Sequence, residues 1–172
     1  MTLNQLTWLS RCVVRRLWAV AMVALVWSGP AAAGYDEGAE AYRRGDFAAA
    51  WTELRQPALG GNLEAAFLLG QMVERGEGVA KNLSEAWGWY RRAAASGHVE
   101  SQFRLGEMFE QGRGVPISLR KACEWYARAA DRGHGRALVK AAAMYRTGRG
   151  VRPDLTRAIG YLTRASAEGE AE

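Results

Sequence analysis

Residues 98–133, HVESQFRLGEMFEQGRGVPISLRKACEWYARAADRG, are the stretch that decides the fold. From Ser101 onward, apolar or small residues recur at intervals of four, seven and eight positions, as on one face of an amphipathic helix. Spacing of the same kind returns from about Ser118 to Arg132. Between these segments lies Gly112-Arg113-Gly114, and glycine readily adopts the left-handed conformation that ends a helix. The stretch predicts an antiparallel hairpin of two helices, which we call helix A and helix B.

This pattern repeats with a period of 36 residues and needs no insertion or deletion. Further copies occupy residues 62–97 and 134–169. A shorter copy at residues 34–61 lacks the Gly-x-Gly-Val loop and passes through Gly45 directly to helix B, which starts at Asp46. Because hairpins of this kind bury their apolar faces against one another, the period predicts an all-α protein, an α-solenoid of antiparallel helical hairpins.

Two glycines inside helix A need a physical explanation. Gly70 and Gly106 occupy interior positions, where glycine costs roughly 1 kcal/mol relative to alanine. We expect helix B to approach closely there through its equally small Ala86, Ala122 and Ala158. The neighbouring aromatic residues are expected to fill the space between hairpins, namely Trp89, Tyr90, Trp125, Tyr126 and Tyr161.

The N-terminal region is typical of a secretory signal peptide. Residues 1–16 contain three arginines and no acidic residue, and the apolar run from Leu17 to Trp27 follows. As a helix, that run is too short to cross a hydrocarbon core of roughly 30 Å. We expect residues 1–33 to be removed by cleavage after Ala33, which leaves a periplasmic protein with no stable membrane span. An uncleaved anchor is the alternative interpretation, and the export route stays open, because paired arginines also occur in twin-arginine signals.

Composition and charge exclude several classes of protein. The 172 residues are 49% hydrophobic and 24% charged, unlike a disordered or collagen-like chain. The net charge of +5 falls to +2 without residues 1–33, so an exported nucleic-acid-binding protein is not expected. Residues 34–110 carry a net charge of −4 and residues 111–167 a net charge of +9. The basic half could steer an acidic protein domain, an anionic polysaccharide or an anionic lipid.

The repeat closely resembles a known family. The pattern Leu-Gly-x-Met-Phe-x-x-Gly-x-Gly-Val at residues 105–115, followed by Ala-x-x-Trp-Tyr-x-x-Ala-Ala-x-x-Gly at residues 122–133, is similar to the Sel1-like repeat. The copy at residues 69–97 matches almost as well, and the copy at residues 141–169 is degenerate. The short first hairpin resembles a tetratricopeptide unit.

The resemblance implies a function as well as a fold. It implies a non-catalytic scaffold or regulator that needs no cofactor and binds a partner protein, such as a membrane sensor or an envelope assembly. A cysteine-rich branch of the family is linked to β-lactam binding and hydrolysis, but this chain has only Cys12 and Cys123. The alternative is an envelope hydrolase or ligand-binding protein that acts on cell-wall or β-lactam-like material.

Three features imitate chemical sites, and each has a structural interpretation. The Gly-x-Gly loops join two helices, whereas a phosphate-binding loop follows a strand. His98 and His134 share one repeat position, and we interpret them as helix-start residues because a metal ion needs three or four converging ligands. Cys123 aligns with Trp87 and Ile159, which predicts a buried thiol. We expect no catalytic residue and no metal.

The candidate partner-binding residues lie on helix A, outside the core stripe and the loops. Stacking of the hairpins would align them on the inner, concave side of the solenoid. They are Leu68, Gln71, Arg75, Arg104, Glu107, Gln111, Lys140, Ala143 and Thr147.

The C-terminal end is a second candidate surface. Solenoids normally close with a polar capping helix, but only an acidic tail, residues 170–172, follows the last repeat. We therefore expect the apolar face of Ile159 and Leu162 to be open. An open face of this kind predicts self-association or partner docking through this end.

Overall fold

The computed structural model of the protein describes residues 30–167 and Gly169. The described residues form eight α-helices and no strand. The helices are α1 Pro30–Arg43, α2 Phe47–Leu59, α3 Leu63–Arg75, α4 Leu83–Ala95, α5 Val99–Gln111, α6 Leu119–Asp131, α7 Gly135–Thr147 and α8 Leu155–Ala167. Helices α3, α5 and α7 are the predicted A helices, and α2, α4, α6 and α8 are the B helices. The predicted all-α hairpin architecture is confirmed.

The two predicted terminal segments fall largely outside this part of the chain. Residues 1–29 of the expected signal peptide and residues 170–172 of the acidic tail are not among the described residues. Residues 30–33 form the start of α1. Cleavage after Ala33 stays a prediction. None of the described helices combines the length and the hydropathy needed to cross a bilayer.

Side-chain caps and left-handed glycines set the helix limits. Asn62 and Asn82 each accept a hydrogen bond from the backbone N–H three residues later, at the starts of α3 and α4. Gly76, Gly112 and Gly148 end the A helices in the left-handed conformation, with φ of +80°, +73° and +73°. The loops are therefore structural, as predicted.

The second glycine of each loop lets neighbouring hairpins approach. A Cβ atom on Gly114 would lie 2.4 Å from the carbonyl oxygen of Leu83, the first residue of the preceding helix B. Gly78 meets Phe47, and Gly150 meets Leu119, in the same way. Each loop therefore packs on the start of helix B in the hairpin before it.

The expected reason for Gly70 and Gly106 is wrong. A Cβ atom on Gly70 would lie 2.6 Å from the ring of Tyr90, and one on Gly106 would lie 2.5 Å from the ring of Tyr126. Each glycine makes room for a tyrosine from helix B of its own hairpin, and not for a facing alanine. Both tyrosines are fully buried and fill the hairpin interior.

Each helix packs mainly against its neighbours in the chain, so the hairpins stack in sequence order. Three apolar clusters follow one another along the stack. They share bordering residues, since Trp89 and Trp125 each contact two of them. The core is therefore continuous along the solenoid.

Candidate partner-binding surface on the A helices

The nine residues predicted from sequence all lie outside the buried core. Arg75, Gln111, Ala143 and Thr147 are exposed, and Leu68, Gln71, Arg104, Glu107 and Lys140 are half-buried. Leu68 packs against the first apolar cluster, so its side chain has a structural contact as well. The residues are spread over three A helices and do not converge on one pocket. We call the surface that they form the A face.

Ion pairs occupy the charged centre of the A face. The Arg104 guanidinium lies 3.2 Å from Glu100 and 3.1 Å from Glu107. Glu107 also lies 3.5 Å from Arg136 on α7. Lys140 on α7 lies 2.9 Å from Glu110 on α5. The charged members of the predicted site therefore also connect α5 to α7.

Two carboxylates that the sequence analysis missed anchor this network. Tyr90 donates a hydrogen bond to Glu74 (2.6 Å), which pairs with Arg113 of the next hairpin (2.7 Å). One repeat later, Tyr126 donates to Glu110 (2.8 Å), which pairs with Lys140 (2.9 Å) and with Arg149 (3.7 Å), the counterpart of Arg113. The same arrangement therefore occurs twice, 36 residues apart.

Burial and the contacts with these carboxylates change the pKa values of the two tyrosines and of Glu110. Burial, and then the hydrogen bond to Glu74, raise the pKa of Tyr90 far above its ordinary value. Burial and Glu110 do the same for Tyr126. Partial burial opposes ionisation of Glu110, but the hydrogen bonds from Lys140 and Tyr126 outweigh it and hold the pKa of Glu110 below its ordinary value. The tyrosines stay protonated and the carboxylate stays charged at neutral pH.

His98 and His134 start helices, as predicted. The Nδ1 atom of His134 accepts the backbone N–H of Ala137 (3.1 Å), and its Nε2 atom lies 2.8 Å from Glu100. This geometry places the proton on Nε2, which donates to the carboxylate. His98 makes the equivalent contacts with Ser101 and Glu64. Each ring also packs on a phenylalanine of the preceding A helix.

A reactive thiol and a metal site are the two remaining candidates for chemistry. Cys123 is buried, as predicted, and burial raises the pKa of its thiol. No group of three or more His, Cys, Asp or Glu side chains with metal-binding geometry occurs in the described part of the chain.

One signal in the sequence could have revealed the missed carboxylates. Glu64 and Glu100 are 36 residues apart, and so are Glu74 and Glu110. A charged residue that recurs at the repeat period indicates a contact that recurs between hairpins. The A face is therefore a polar surface whose charges are paired both within a hairpin and between neighbouring hairpins, and it can offer charges and hydrogen bonds to a macromolecule.

Comparison with known proteins identifies the repeat. The family model described as Sel1 repeat matches residues 63–98, 99–134 and 135–170. No curated protein sequence matches the chain at a significant level.

Solved bacterial structures share the fold. A Sel1 repeat protein from Oxalobacter formigenes is 32% identical with a TM-score of 0.75, over 78% of this chain and 56% of that one. A protective antigen with an SLR fold from uropathogenic Escherichia coli strains is 28% identical with a TM-score of 0.76, over 87% of this chain and 33% of that one. Helicobacter pylori cysteine rich protein B shares the fold at 20% identity, with a TM-score of 0.51, over 68% of this chain and 89% of that one. The chain thus spans about half of the first structure's length and a third of the second's, and it belongs to the Sel1 repeat family.

Proposed function

We propose that this protein is a non-catalytic scaffold or regulator of the bacterial periplasm or cell envelope, which binds a partner protein on the A face. The observation that carries the proposal is the ion-pair network across α5 and α7. It holds Arg104, Glu107 and Lys140 in fixed positions before a partner arrives. A surface ordered in advance loses less conformational entropy on binding.

The surroundings of the reactive side chains favour binding over catalysis. A general base or nucleophile must reach a substrate with an available proton or lone pair. Here the Nδ1 atom of His134 accepts a helix N–H and its Nε2 atom donates to Glu100. Cys123 is buried and its pKa is raised, which disfavours the nucleophilic thiolate.

The proposed location rests on the sequence of residues 1–33. A relative described as a protective antigen adds support, because antibodies reach antigens outside the cytoplasm. Edman sequencing of the mature protein from a periplasmic fraction is expected to start at Gly34. A start at residue 1 or 2 in a membrane fraction would contradict cleavage and favour the anchor.

The A face is best tested at Ala143, because that side chain is exposed and can be enlarged without removing a contact. Reversing the charge of Arg104 would instead break two ion pairs within α5, and reversing the charge of Lys140 would break its ion pair with Glu110 of the preceding hairpin. The full-length tagged chain is expressed in its native cell, crosslinked and purified, and Ala143→Arg is compared with the unaltered protein. We expect one envelope protein to be recovered with the unaltered protein and to be reduced at least about tenfold, near 1.4 kcal/mol of binding, by Ala143→Arg.

Ala48 on α2 provides the matched control, since it is an exposed alanine of a B helix. Ala48→Arg should leave recovery of the partner unchanged. Equal loss in both variants would show that the A face is not the binding surface. Recovery of cell-wall fragments in place of a protein would favour the ligand-binding alternative.

A further inference from the structure

A groove of about 230 Å³ opens on the helix B side of the stack, between α4 and α6. Trp87 of α4 and Trp125 of α6 border it, and both side chains are half-buried. Leu105 and Phe109 of α5 are buried and form its floor. The groove therefore has an apolar floor and aromatic borders, and its two tryptophans belong to B helices, whereas the A-face residues belong to A helices.

Three cations surround this groove. The Arg91 guanidinium lies 4.7 Å from the ring centre of Trp87, and the Arg128 guanidinium lies 4.6 Å from that of Trp125. The Lys121 ammonium lies 5.1 Å from the ring centre of Phe109. Contacts of this kind hold a cation by attraction to the face of the ring but leave its charge uncompensated.

Within the part of the chain that the structure describes, no carboxylate lies within 4 Å of these three cations. Glu124 is the acidic residue of the groove, and its partner is Arg120 at 2.9 Å. The A face is different, because each of its cations, Arg75, Arg104 and Lys140, lies within 4 Å of a carboxylate. The groove is thus a local excess of positive charge around an apolar centre.

The equivalent positions in the two neighbouring interfaces do not combine two separated tryptophan rings with cations that lack a carboxylate partner among the described residues. Trp51 and Trp89, which are 36 residues earlier, meet edge to face with ring centres 6.4 Å apart. In the following interface, Cys123 takes the place of Trp87, and Tyr161 takes the place of Trp125. The cations there, Arg157 and Arg164, lie within 4 Å of Asp154 and Asp131.

The dimensions and charges of the groove indicate what it would bind. Its volume is below the range of about 300–1,000 Å³ that is typical of small-molecule sites, which suits one inserted side chain. Tryptophan and arginine are enriched where single side chains dominate binding. The cations cover ring faces on which a sugar would otherwise stack, which disfavours a polysaccharide.

We propose that this groove binds an acidic peptide segment of a second protein. One large apolar side chain of the peptide enters between Trp87 and Trp125, and flanking carboxylates pair with Arg91 and Arg128. This is a second binding surface, and its tryptophans and arginines belong to the B helices α4 and α6, whereas the A-face residues belong to the A helices. It would let the protein hold two partners at once.

The experiment uses the full chain and a panel of fluorescein-labelled peptides. Each peptide has one central residue, which is Leu, Ile, Met, Phe, Trp or Ala, between three acidic residues on each side. A second set replaces the acidic residues by Asn and Gln. Fluorescence anisotropy is expected to show saturable binding of at least one acidic peptide with an apolar central residue. Replacing that central residue by Ala, or the acidic flanks by Asn and Gln, is expected to weaken the binding about tenfold or more.

The Arg91→Gln/Arg128→Gln double variant is expected to lose about tenfold or more of that affinity. Its matched control is Arg55→Gln/Arg92→Gln, which removes the same charge at the equivalent positions of the preceding interface and should bind as the unaltered protein does. Circular dichroism verifies that both double variants keep their helix content.

Three results would overturn the proposal. They are no binding by any peptide up to about 1 mM, equal loss in the two double variants, and equal binding of acidic and neutral peptides. Vesicles of phosphatidylglycerol and a uronic-acid polysaccharide are tested in parallel. If either of them binds in a way that depends on Arg91 and Arg128 while the peptides do not, the groove is a site for that polymer or lipid instead.

Discussion

At the scale of the residue, Gly106 shows how the absence of a side chain determines packing. Helix propensity makes a glycine in the middle of a helix unfavourable by roughly 1 kcal/mol relative to alanine. The space that the missing Cβ leaves is taken by the ring of Tyr126, whose hydroxyl group then reaches Glu110 at 2.8 Å. The glycine therefore positions a buried tyrosine and, through it, the carboxylate that pairs with Lys140 of the A face.

We predict that Gly106→Ala destabilises the protein by about 1–3 kcal/mol, because the new Cβ would overpack the hairpin against Tyr126. Gly88→Ala is the control, since no atom of a neighbouring group lies within 4 Å of a Cβ at that helical position. That substitution should stabilise the protein by about 0.5–1 kcal/mol. Urea denaturation measures both, and stabilisation by Gly106→Ala would contradict the packing explanation.

Glu100 is the residue whose charge should contribute most clearly to pH dependence. The hydrogen bond from His134 and the nearby Arg104 and Arg136 hold the pKa of this half-buried carboxyl group below its ordinary value. A carboxyl group with a lower pKa in the folded state contributes full stability above its unfolded pKa, about 4.3, and loses that contribution as the pH falls through the folded value.

We therefore predict that Glu100→Gln lowers the free energy of unfolding at pH 7 by about 0.5–1 kcal/mol, as expected for a partly exposed ion pair. The difference from the unaltered protein should shrink below about pH 4. Glu64→Gln is the matched control, because Glu64 makes the same contact with His98 but its side chain is 58% exposed against 33% for Glu100. Thermal denaturation between pH 3 and 7 measures both variants. A loss of stability in Glu100→Gln that is equal at every pH would refute the electrostatic cause.

At the scale of the element, the hairpins are joined by close contact between a loop and a helix start. Gly114 has φ of +73° and its Cα lies against the Leu83 carbonyl group. Two requirements therefore act on one position, a left-handed backbone and an absent side chain. Gly45 has only the first, since it has φ of +79° and open space around it.

This difference permits a second matched pair of substitutions. Gly45→Ala should cost about 1–2 kcal/mol, from left-handed strain alone. Gly114→Ala should cost about 1–3 kcal/mol more, because the added Cβ would collide with the backbone of Leu83. Guanidinium denaturation monitored by circular dichroism checks the order. Equal losses would show that the loop contact contributes little to stacking.

At the scale of the whole molecule, the last helix leaves apolar side chains uncovered within the described residues. Ile159 is 64% exposed and Leu162 is 42% exposed, so the expected open face is present, and Leu155 at 63% extends it. Exposed apolar side chains on one helix favour association with a second copy of the chain. Self-association itself stays a prediction.

We predict that the protein forms dimers at high concentration and that Ile159→Ser/Leu162→Ser weakens them about tenfold or more. Sedimentation equilibrium over a range of concentrations measures the association constant. The control is Ile117→Ser, which removes an apolar side chain that is 67% exposed in the loop between α5 and α6. Purely monomeric behaviour at all concentrations would refute this interface.

The sequence by itself determined the helices and their order in this protein. The 36-residue period located the hairpins, and the His98 and His134 positions correctly indicated helix starts, because these features depend on local backbone preferences and on contacts that recur at a fixed spacing. Only the tertiary structure decided which groups meet across that spacing. It brought Tyr126 over Gly106, joined Glu110 to Lys140 and left Arg91 and Arg128, beside an open groove, without a carboxylate partner among the described residues. Those pairings depend on the orientation of side chains on different helices, and the period alone does not determine that orientation.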